Sequence, residues 1–288
     1  MNILVVGGTR FFGIPMTEKL IADGHDVTIA TRGRTPDSFG GRVRRLCLDR
    51  SDEASIAAAL DGRRFDAVID KIAYSSNDVK RLLDHVECGK YILMSTSSVY
   101  ADIGRATPES SFVPAEHRLI WCERADFDYA EAKRQAECAL VQRYPEQKYA
   151  AVRCPVVIGS HDYTGRLRFY AEKILAGEPM HIDDMDSRIS FIHEREAGEF
   201  LAYAAENEIF GAVNGCCRGD ISVREIIGFI EQKTGRKALL SDSGEAAPYN
   251  GYPSFATLDT SKAEASGFMF GDLEKAVHET LDGYLIGY

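Results

Sequence analysis

The sequence predicts an α/β fold built on a doubly wound parallel sheet, with a smaller C-terminal lobe. Three observations carry this. Strand patterns alternate with helix patterns through the first half of the chain, the first strand runs straight into a glycine turn that opens a helix, and the rhythm loosens after about residue 155. Alternation of this kind argues for right-handed βαβ crossovers, which lay helices on both faces of a parallel sheet.

The first strand, residues 2–6, is a short apolar run rich in β-branched side chains, suited to burial on both faces. Gly7-Gly8-Thr9-Arg10-Phe11-Phe12-Gly13 follows, then a helix over 13–23 with Pro15 in its first turn and Gly24 placed to end it. Asp26–Thr31 supplies the second strand, its core at 26–30. Further strands are expected at 43–48, 66–70, 90–95 and 149–154, and helices at 53–60, 76–86, 129–143 and 164–176. Clusters of Gly, Pro and Asp at 159–165, 177–188 and 241–254 separate later helices at 194–206, 222–234 and 272–285. The expected organisation is a dinucleotide-binding domain over 1–155. Residues 156–288 form mainly a substrate-binding lobe that interleaves with the sheet and leaves a cleft over the carboxyl ends of the strands.

A strand, a glycine turn and a helix in that order build a dinucleotide site. Glycines let a pyrophosphate approach the main chain, and the helix N-terminus offers free N–H groups and a favourable dipole. The plainer alternative is an ordinary strand-to-helix turn, which the second strand at Asp26–Thr31 weighs against.

Composition bounds the rest. With 288 residues, 45% hydrophobic and 27% charged, the chain reads as an ordinary soluble globular protein. It shows neither a secretory signal nor an apolar run of membrane-spanning length, so a cytoplasmic location is expected. Seven cysteines form no Cys-x-x-Cys pair and no ligand spacing with the seven histidines, so no metal site is expected and Cys216 and Cys217 read as small buried residues. A net charge of −10 opposes general nucleic-acid binding. One stretch runs the other way: Arg32, Arg34, Arg42, Arg44, Arg45 and Arg50 face only Asp37 and Asp49, either as a solvated edge or as a phosphate pocket.

Tyr129 and Lys133 stand four apart in a helical stretch, so both point along one face. A lysine beside a phenol stabilises phenolate and lowers its pKa towards neutrality, as a tyrosine general base requires. Spacing alone is weak evidence among 13 tyrosines, and Tyr144 with Lys148 repeats it. Pro145 denies that second pair a regular helical face. The first pair is singled out by Ser95-Thr96-Ser97-Ser98-Val99-Tyr100, a hydroxyl cluster at the carboxyl edge of the fifth strand, where a hydroxyl can hold a substrate oxygen.

Taken together, the glycine turn, this hydroxyl cluster and Tyr129-x-x-x-Lys133 resemble the extended short-chain dehydrogenase/reductase superfamily, in its NAD-dependent epimerase/dehydratase branch. The likeness continues through Leu48 to Asp52, Arg153 to Gly159, Phe191 to His193 and Asp259 to Lys262, nearly the whole chain. It implies a Rossmann domain and hydride transfer on a sugar, nucleotide sugar or related carbonyl or hydroxyl compound, by an oxidoreductase, epimerase or dehydratase. By position, Thr96 would be the family's hydroxyl residue, Tyr129 the general acid/base, and Lys133 the residue that tunes it and holds the nicotinamide ribose. Asp49 resembles the acid that bonds adenine. Ala73 stands at the small-residue position near the adenine ribose, and Pro155 resembles the proline beside the nicotinamide amide. Gly7, Thr9, Arg10, Phe11, Phe12 and Gly13 would cradle the cofactor. Extended members often dimerise through a four-helix bundle, which here would include the helix of Tyr129; monomer and homodimer stay open.

The chain departs from the family in two places. Where NAD-preferring members place an acid after the second strand, it has Thr31, Arg32 and Arg34, and Arg10 replaces the middle glycine of the turn. Cations there suit a 2′-phosphate, so NADP(H) is expected over NAD(H). Nucleotide-sugar enzymes of the family commonly carry an arginine directly before the segment Ser190 to His193; here that place is Ile189, with Arg188 shifted by one. Arg153, Arg166, Arg168 and Arg188 are the candidates left for a substrate diphosphate. The alternative reading is a non-enzymatic, dinucleotide-responsive binding protein, because the opening Gly7 to Phe11 is also similar to that of chloroplast stem-loop RNA-binding proteins.

Overall fold

The computed structural model describes residues 1–286; residues 287–288, which the expected lobe includes, lie outside the described residues. Seven parallel strands form the central sheet. They are β1 (Asn2–Val6), β2 (Asp26–Thr31), β3 (Arg44–Cys47), β4 (Arg64–Asp70), β5 (Glu87–Thr96), β6 (Tyr149–Cys154) and, after four short strands of the lobe, β11 (Gly211–Asn214). Their order in space is β11-β6-β5-β4-β1-β2-β3. The order reverses between β1 and β4, which opens a crevice at their carboxyl ends.

Burial on both faces explains the apolar run of β1. Ile3 and Val5 join the core on one side of the sheet, Leu4 and Val6 the core on the other, and all four are fully buried. Helix α1 (Gly13–Ala22) packs with α6 (Glu194–Glu206) over the first face. Helices α2 (Glu53–Leu60), α3 (Ser76–Leu83) and α4 (Tyr129–Arg143) cover the second.

The expected α/β architecture is the one observed, and several bounds coincide. The two largest differences have physical reasons. Helix α3 stops at Leu83 because Asp84 caps it and His85 turns back onto Leu82, short of the expected 86. Strand β5 begins at Glu87 because Arg64 and Phe65 pair with Glu87 and Cys88, a polar stretch without a strand-like pattern. Tyr144 ends α4 in a non-helical conformation, so the second Tyr-x-x-x-Lys pair has no shared face.

The later residues build three small sheets. Strand β7 (Val156–Ile158) pairs with β10 (Phe191–His193); β8 (Pro179–His181) lies between β13 (Leu239–Leu240) and β14 (Glu245–Ala246); β9 (Arg188–Ile189) lies between β12 (Ile221–Ser222) and β15 (Phe255–Ala256). Helix α5 (Arg166–Ala176) packs against α7 (Val223–Thr234) and α9 (Leu273–Tyr284), while the short α8 (Ser261–Ala265) leans on β11. Among the described residues, no helix is long and apolar enough to cross a membrane.

Candidate active site

Strand β1 ends in Gly7 and Gly8, both at φ +100°, a conformation that L side chains rarely adopt. Helix α1 then starts directly against that turn: a Cβ on Gly13 would lie 2.8 Å from the Gly8 Cα. No side chain caps the helix, and among the described residues the main-chain N–H groups of Arg10, Phe11 and Phe12 meet no acceptor. Phe11 holds φ +53°, rare for a non-glycine residue and a mark of a turn over-determined by its surroundings. Its ring and that of Phe12 are buried in the core.

Above this turn lies a cleft of about 410 Å³ at the carboxyl ends of β1, β2 and β4. Gly7, Gly8, Thr9 and Arg10 line it from the turn, Thr31, Arg32 and Arg34 from the end of β2, and Asp49 and Arg50 from the end of β3. Lys71, Ile72 and Tyr74 follow β4, and Arg124 and Tyr163 reach in from later loops. The basic stretch after β2 divides in two. Arg42, Arg44, Arg45 and Arg50 are paired with Glu18, Asp26, Asp37 and Asp70. Arg32 and Arg34, like Arg10 and Arg124, have no carboxylate partner among the described residues. Phe11, Phe12 and Gly13 shape the turn from beneath rather than line the cleft. Ala73 is fully buried, and Pro155 stands at the junction of β6 and β7, outside the cleft lining.

Tyr129 and Lys133 both lie beside the Tyr74 ring, and Thr96 lies beside Tyr129. Thr96 ends β5 and is nearly buried, its Oγ1 accepting from the Ser98 N–H at 3.2 Å. Asp128 caps α4, so Tyr129 is its first residue and Lys133 stands one turn along. Tyr129 keeps 48% of its surface exposed, while Lys133 is buried, its Nζ donating to the carbonyls of Ala73 at 2.6 Å and Met94 at 2.8 Å. The Tyr74 ring lies 4.6 Å from Lys133 Nζ, 3.9 Å from the Arg124 guanidinium and 6.0 Å from the Tyr129 ring.

Burial pushes the Lys133 amine down to about 8, against the charge of Asp70, which raises it. The Tyr129 phenol is raised above its ordinary value, chiefly by burial; the Thr96 hydroxyl and the charges of Arg166 and Arg124 act the other way. This corrects the expectation of a phenol lowered towards neutrality by Lys133, whose ammonium is engaged by two carbonyls.

Two of the four candidate arginines for a substrate diphosphate are engaged elsewhere. Arg153 is fully buried and binds Glu137 through Nε and Nη2, the Tyr100 hydroxyl, and the carbonyls of Glu109 and Phe112. Arg188 is paired with Asp220 and Glu225. Arg168 lies 4.8 Å from the Tyr284 ring. Arg166, the first residue of α5, has no carboxylate partner among the described residues, and its charge lowers the phenols of Tyr129, Tyr249 and Tyr252. Sequence reasoning missed Lys71, Tyr74, Arg124 and Tyr163. Only for Lys71, the first residue after β4, was there a positional signal.

Known proteins resemble this chain in sequence and fold. A curated relative, the chloroplast stem-loop binding protein of 41 kDa b from Arabidopsis thaliana, is 24% identical over 204 residues, covering 66% of this chain and 50% of the relative. The chain thus spans about half the length of the curated relative it matches. Among solved structures, the UDP-glucose 4-epimerase of Thermotoga maritima with UDP-glucose superposes with a TM-score of 0.75 at 20% identity, covering 99% of this chain and 98% of that one. The UDP-glucuronic acid 4-epimerase of Bacillus cereus in complex with NAD gives 0.73 at 18% identity, covering 99% and 96%. The sequence profile of the NAD dependent epimerase/dehydratase family matches residues 3–214, from the first strand of the sheet to its last, and the chain belongs to that family.

Proposed function

We propose that this chain is an NADP(H)-preferring enzyme that acts on a sugar, a nucleotide sugar or a related hydroxyl or carbonyl compound, with Tyr129 as general acid/base. The observation that carries the reading is the placing of Tyr129 beside Thr96, and of Tyr129 and Lys133 against Tyr74, at a cleft whose glycine turn leaves main-chain donors free. The cleft fits a dinucleotide on its own evidence. Gly13 packs directly on the Gly8 backbone, so the helix starts against the turn, and among the described residues three N–H groups lack acceptors and Arg10, Arg32 and Arg34 lack carboxylates. Residues 1–155 would carry the cofactor and residues 156–288 most of the substrate contacts.

Gly7, Thr9, Arg10, Phe11, Phe12 and Gly13 would hold the diphosphate, Asp49 and Ala73 the adenosine half, and Arg32 with Arg34 a 2′-phosphate. Lys133 and Pro155 would hold the nicotinamide half. A bound nicotinamide supplies hydride donation or acceptance at its C4. Thr96 fixes the substrate oxygen, and Tyr129 moves the proton between that oxygen and its phenol. Lys133 and Thr96 keep Tyr129 in place, Lys133 by tying α4 to the turn after β4.

An anionic substrate suits the lobe. The Tyr249 hydroxyl is buried without a hydrogen-bond partner among the described residues and feels the charge of Arg166, as do Tyr252 and Tyr129. A substrate phosphate would satisfy both groups. The test is a panel of nucleotide sugars and sugar phosphates incubated with NADP⁺ or NADPH, followed by absorbance at ~340 nm and by NMR of the sugar. Turnover of one anionic member supports the proposal; inertness towards every hydroxyl and carbonyl compound tested, with an RNA stem-loop retained at moderate salt, favours the binding-protein reading that the curated relative's name raises.

A further inference from the structure

Lys71 is the first residue past β4, and its N–H donates to the Val6 carbonyl at 3.2 Å, which holds it beside the glycine turn. A side chain on Gly7 would come within 3.6 Å of its Cβ. The Lys71 chain runs from there across the turn to place Nζ 4.2 Å from the centre of the Phe12 ring. The Arg10 guanidinium shares this side of the cleft, 4.8 Å from the Tyr163 ring.

The contrast with three other lysines is informative. Lys90, Lys133 and Lys262, each with an amine lowered by burial, donate to two main-chain carbonyls apiece. Lys71 is pushed down to about 8 by burial, with Arg10 adding to the effect, yet its Nζ has neither acceptor nor carboxylate among the described residues. The preceding Asp70 does not compensate it, because both its oxygens are taken by Arg50 and Tyr91. An aromatic face offsets only part of the cost of burying such a charge and gives no reason for a second cation beside it. Two uncompensated cations over a glycine turn fit a divalent anion.

We infer that Lys71 and Arg10 together grip the diphosphate of the bound dinucleotide, adding two side-chain cations to the main-chain donors of the turn. The inference rests on the dinucleotide reading above. Lys71 closes on the diphosphate from the β4 side and Arg10 from the turn, with Tyr163 backing the guanidinium. The 2′-phosphate falls instead to Arg32 and Arg34, so the two anionic groups have separate cations.

Calorimetric titration at neutral pH with three ligands separates these roles: NADPH; ADP, which has a diphosphate but no 2′-phosphate; and adenosine 2′-monophosphate, which has only the latter. In Lys71→Met, NADPH and ADP are expected to bind about tenfold more weakly, while adenosine 2′-monophosphate stays within about twofold of wild type. Lys71→Arg should restore ADP binding to within about threefold. Unchanged ADP and NADPH affinity in Lys71→Met, or an equal loss for all three ligands, overturns the inference. Failure of the wild type to bind any of the three overturns the dinucleotide reading, and the inference with it. A thermal melt of Lys71→Met at or above that of wild type confirms that folding is not the cause, since the substitution removes a half-buried, unpartnered charge.

Discussion

Lys133 Nζ donates to the Ala73 carbonyl at 2.6 Å, a bond that ties the second turn of α4 to the segment after β4. Ala73 is fully buried, so this bond fixes α4 relative to the sheet and sets Tyr129, four residues earlier, half-exposed beside Thr96. Tyr129→Phe keeps the helix and removes only the hydroxyl. Turnover should fall by about 10²–10⁴, with NADPH affinity within about twofold of wild type. Steady-state rates beside a binding titration check this; retained turnover would take the proton-transfer role from Tyr129.

Among the described residues, Arg32 and Arg34 are the two arginines of the basic stretch left without carboxylates, and both line the cleft. Arg32→Ala should weaken NADPH about tenfold and leave NADH nearly unchanged, since only the former carries a 2′-phosphate. Parallel titrations with both cofactors decide it. Equal losses would assign Arg32 to the general field of the cleft.

The charge on Lys71 gives a pH signature. With an amine lowered to about 8, free protein holds an ammonium at pH 7 and mostly neutral amine at pH 9. If the diphosphate needs the charged form, affinity is level below pH 7.5 and falls above 8 by about tenfold in all, the loss expected for Lys71→Met. Arg10 is the charged group acting on it, and Asp70 is engaged by Arg50 and Tyr91. ADP is the proper ligand here, because Lys133 also titrates at about 8 and would contact the nicotinamide half that ADP lacks. Titrations from pH 7.5 to 9.5 should show the fall in wild type and a flat line in Lys71→Met.

The Arg153–Glu137 pair is fully buried and binds the segment that follows Thr96 through the carbonyls of Glu109 and Phe112. Arg153→Met strands the Glu137 carboxylate and should destabilise the fold by about 3–5 kcal/mol. Adding Glu137→Leu should recover part of that loss, but not the part due to the two freed carbonyls and the Tyr100 hydroxyl. Urea denaturation of both variants measures it, and a cost below ~1 kcal/mol for the single change would mean that the site relaxes around the missing cation.

The fold was legible where periodicity is set by burial on both faces, as in β1 with its alternating Ile3, Leu4, Val5 and Val6. Helix α4 was equally plain, and the decoy at Tyr144 was identifiable because Pro145 forbids a further turn. The lobe's helices were legible but its strands were not: β9, β12 and β15 are two residues each, too short for any pattern, and take their register from tertiary packing. At the site, Gly7, Arg10, Arg32 and Asp49 could be read because each follows a strand end. Arg124 and Tyr163 could not, because they arrive from irregular loops. The raised phenol of Tyr129 was also beyond the sequence, since a spacing of four places Lys133 on the right face without revealing that Ala73 and Met94 engage its ammonium.

The central claim is that the cleft over the glycine turn takes a nicotinamide dinucleotide and prefers the one with a 2′-phosphate. Calorimetric titration of the wild-type protein with NADPH and with NADH, in one buffer at neutral pH and moderate salt, tests it directly. The account predicts saturable one-to-one binding of both, with NADPH about tenfold tighter or more. NADH binding as tightly as NADPH, or no binding of either, would contradict it.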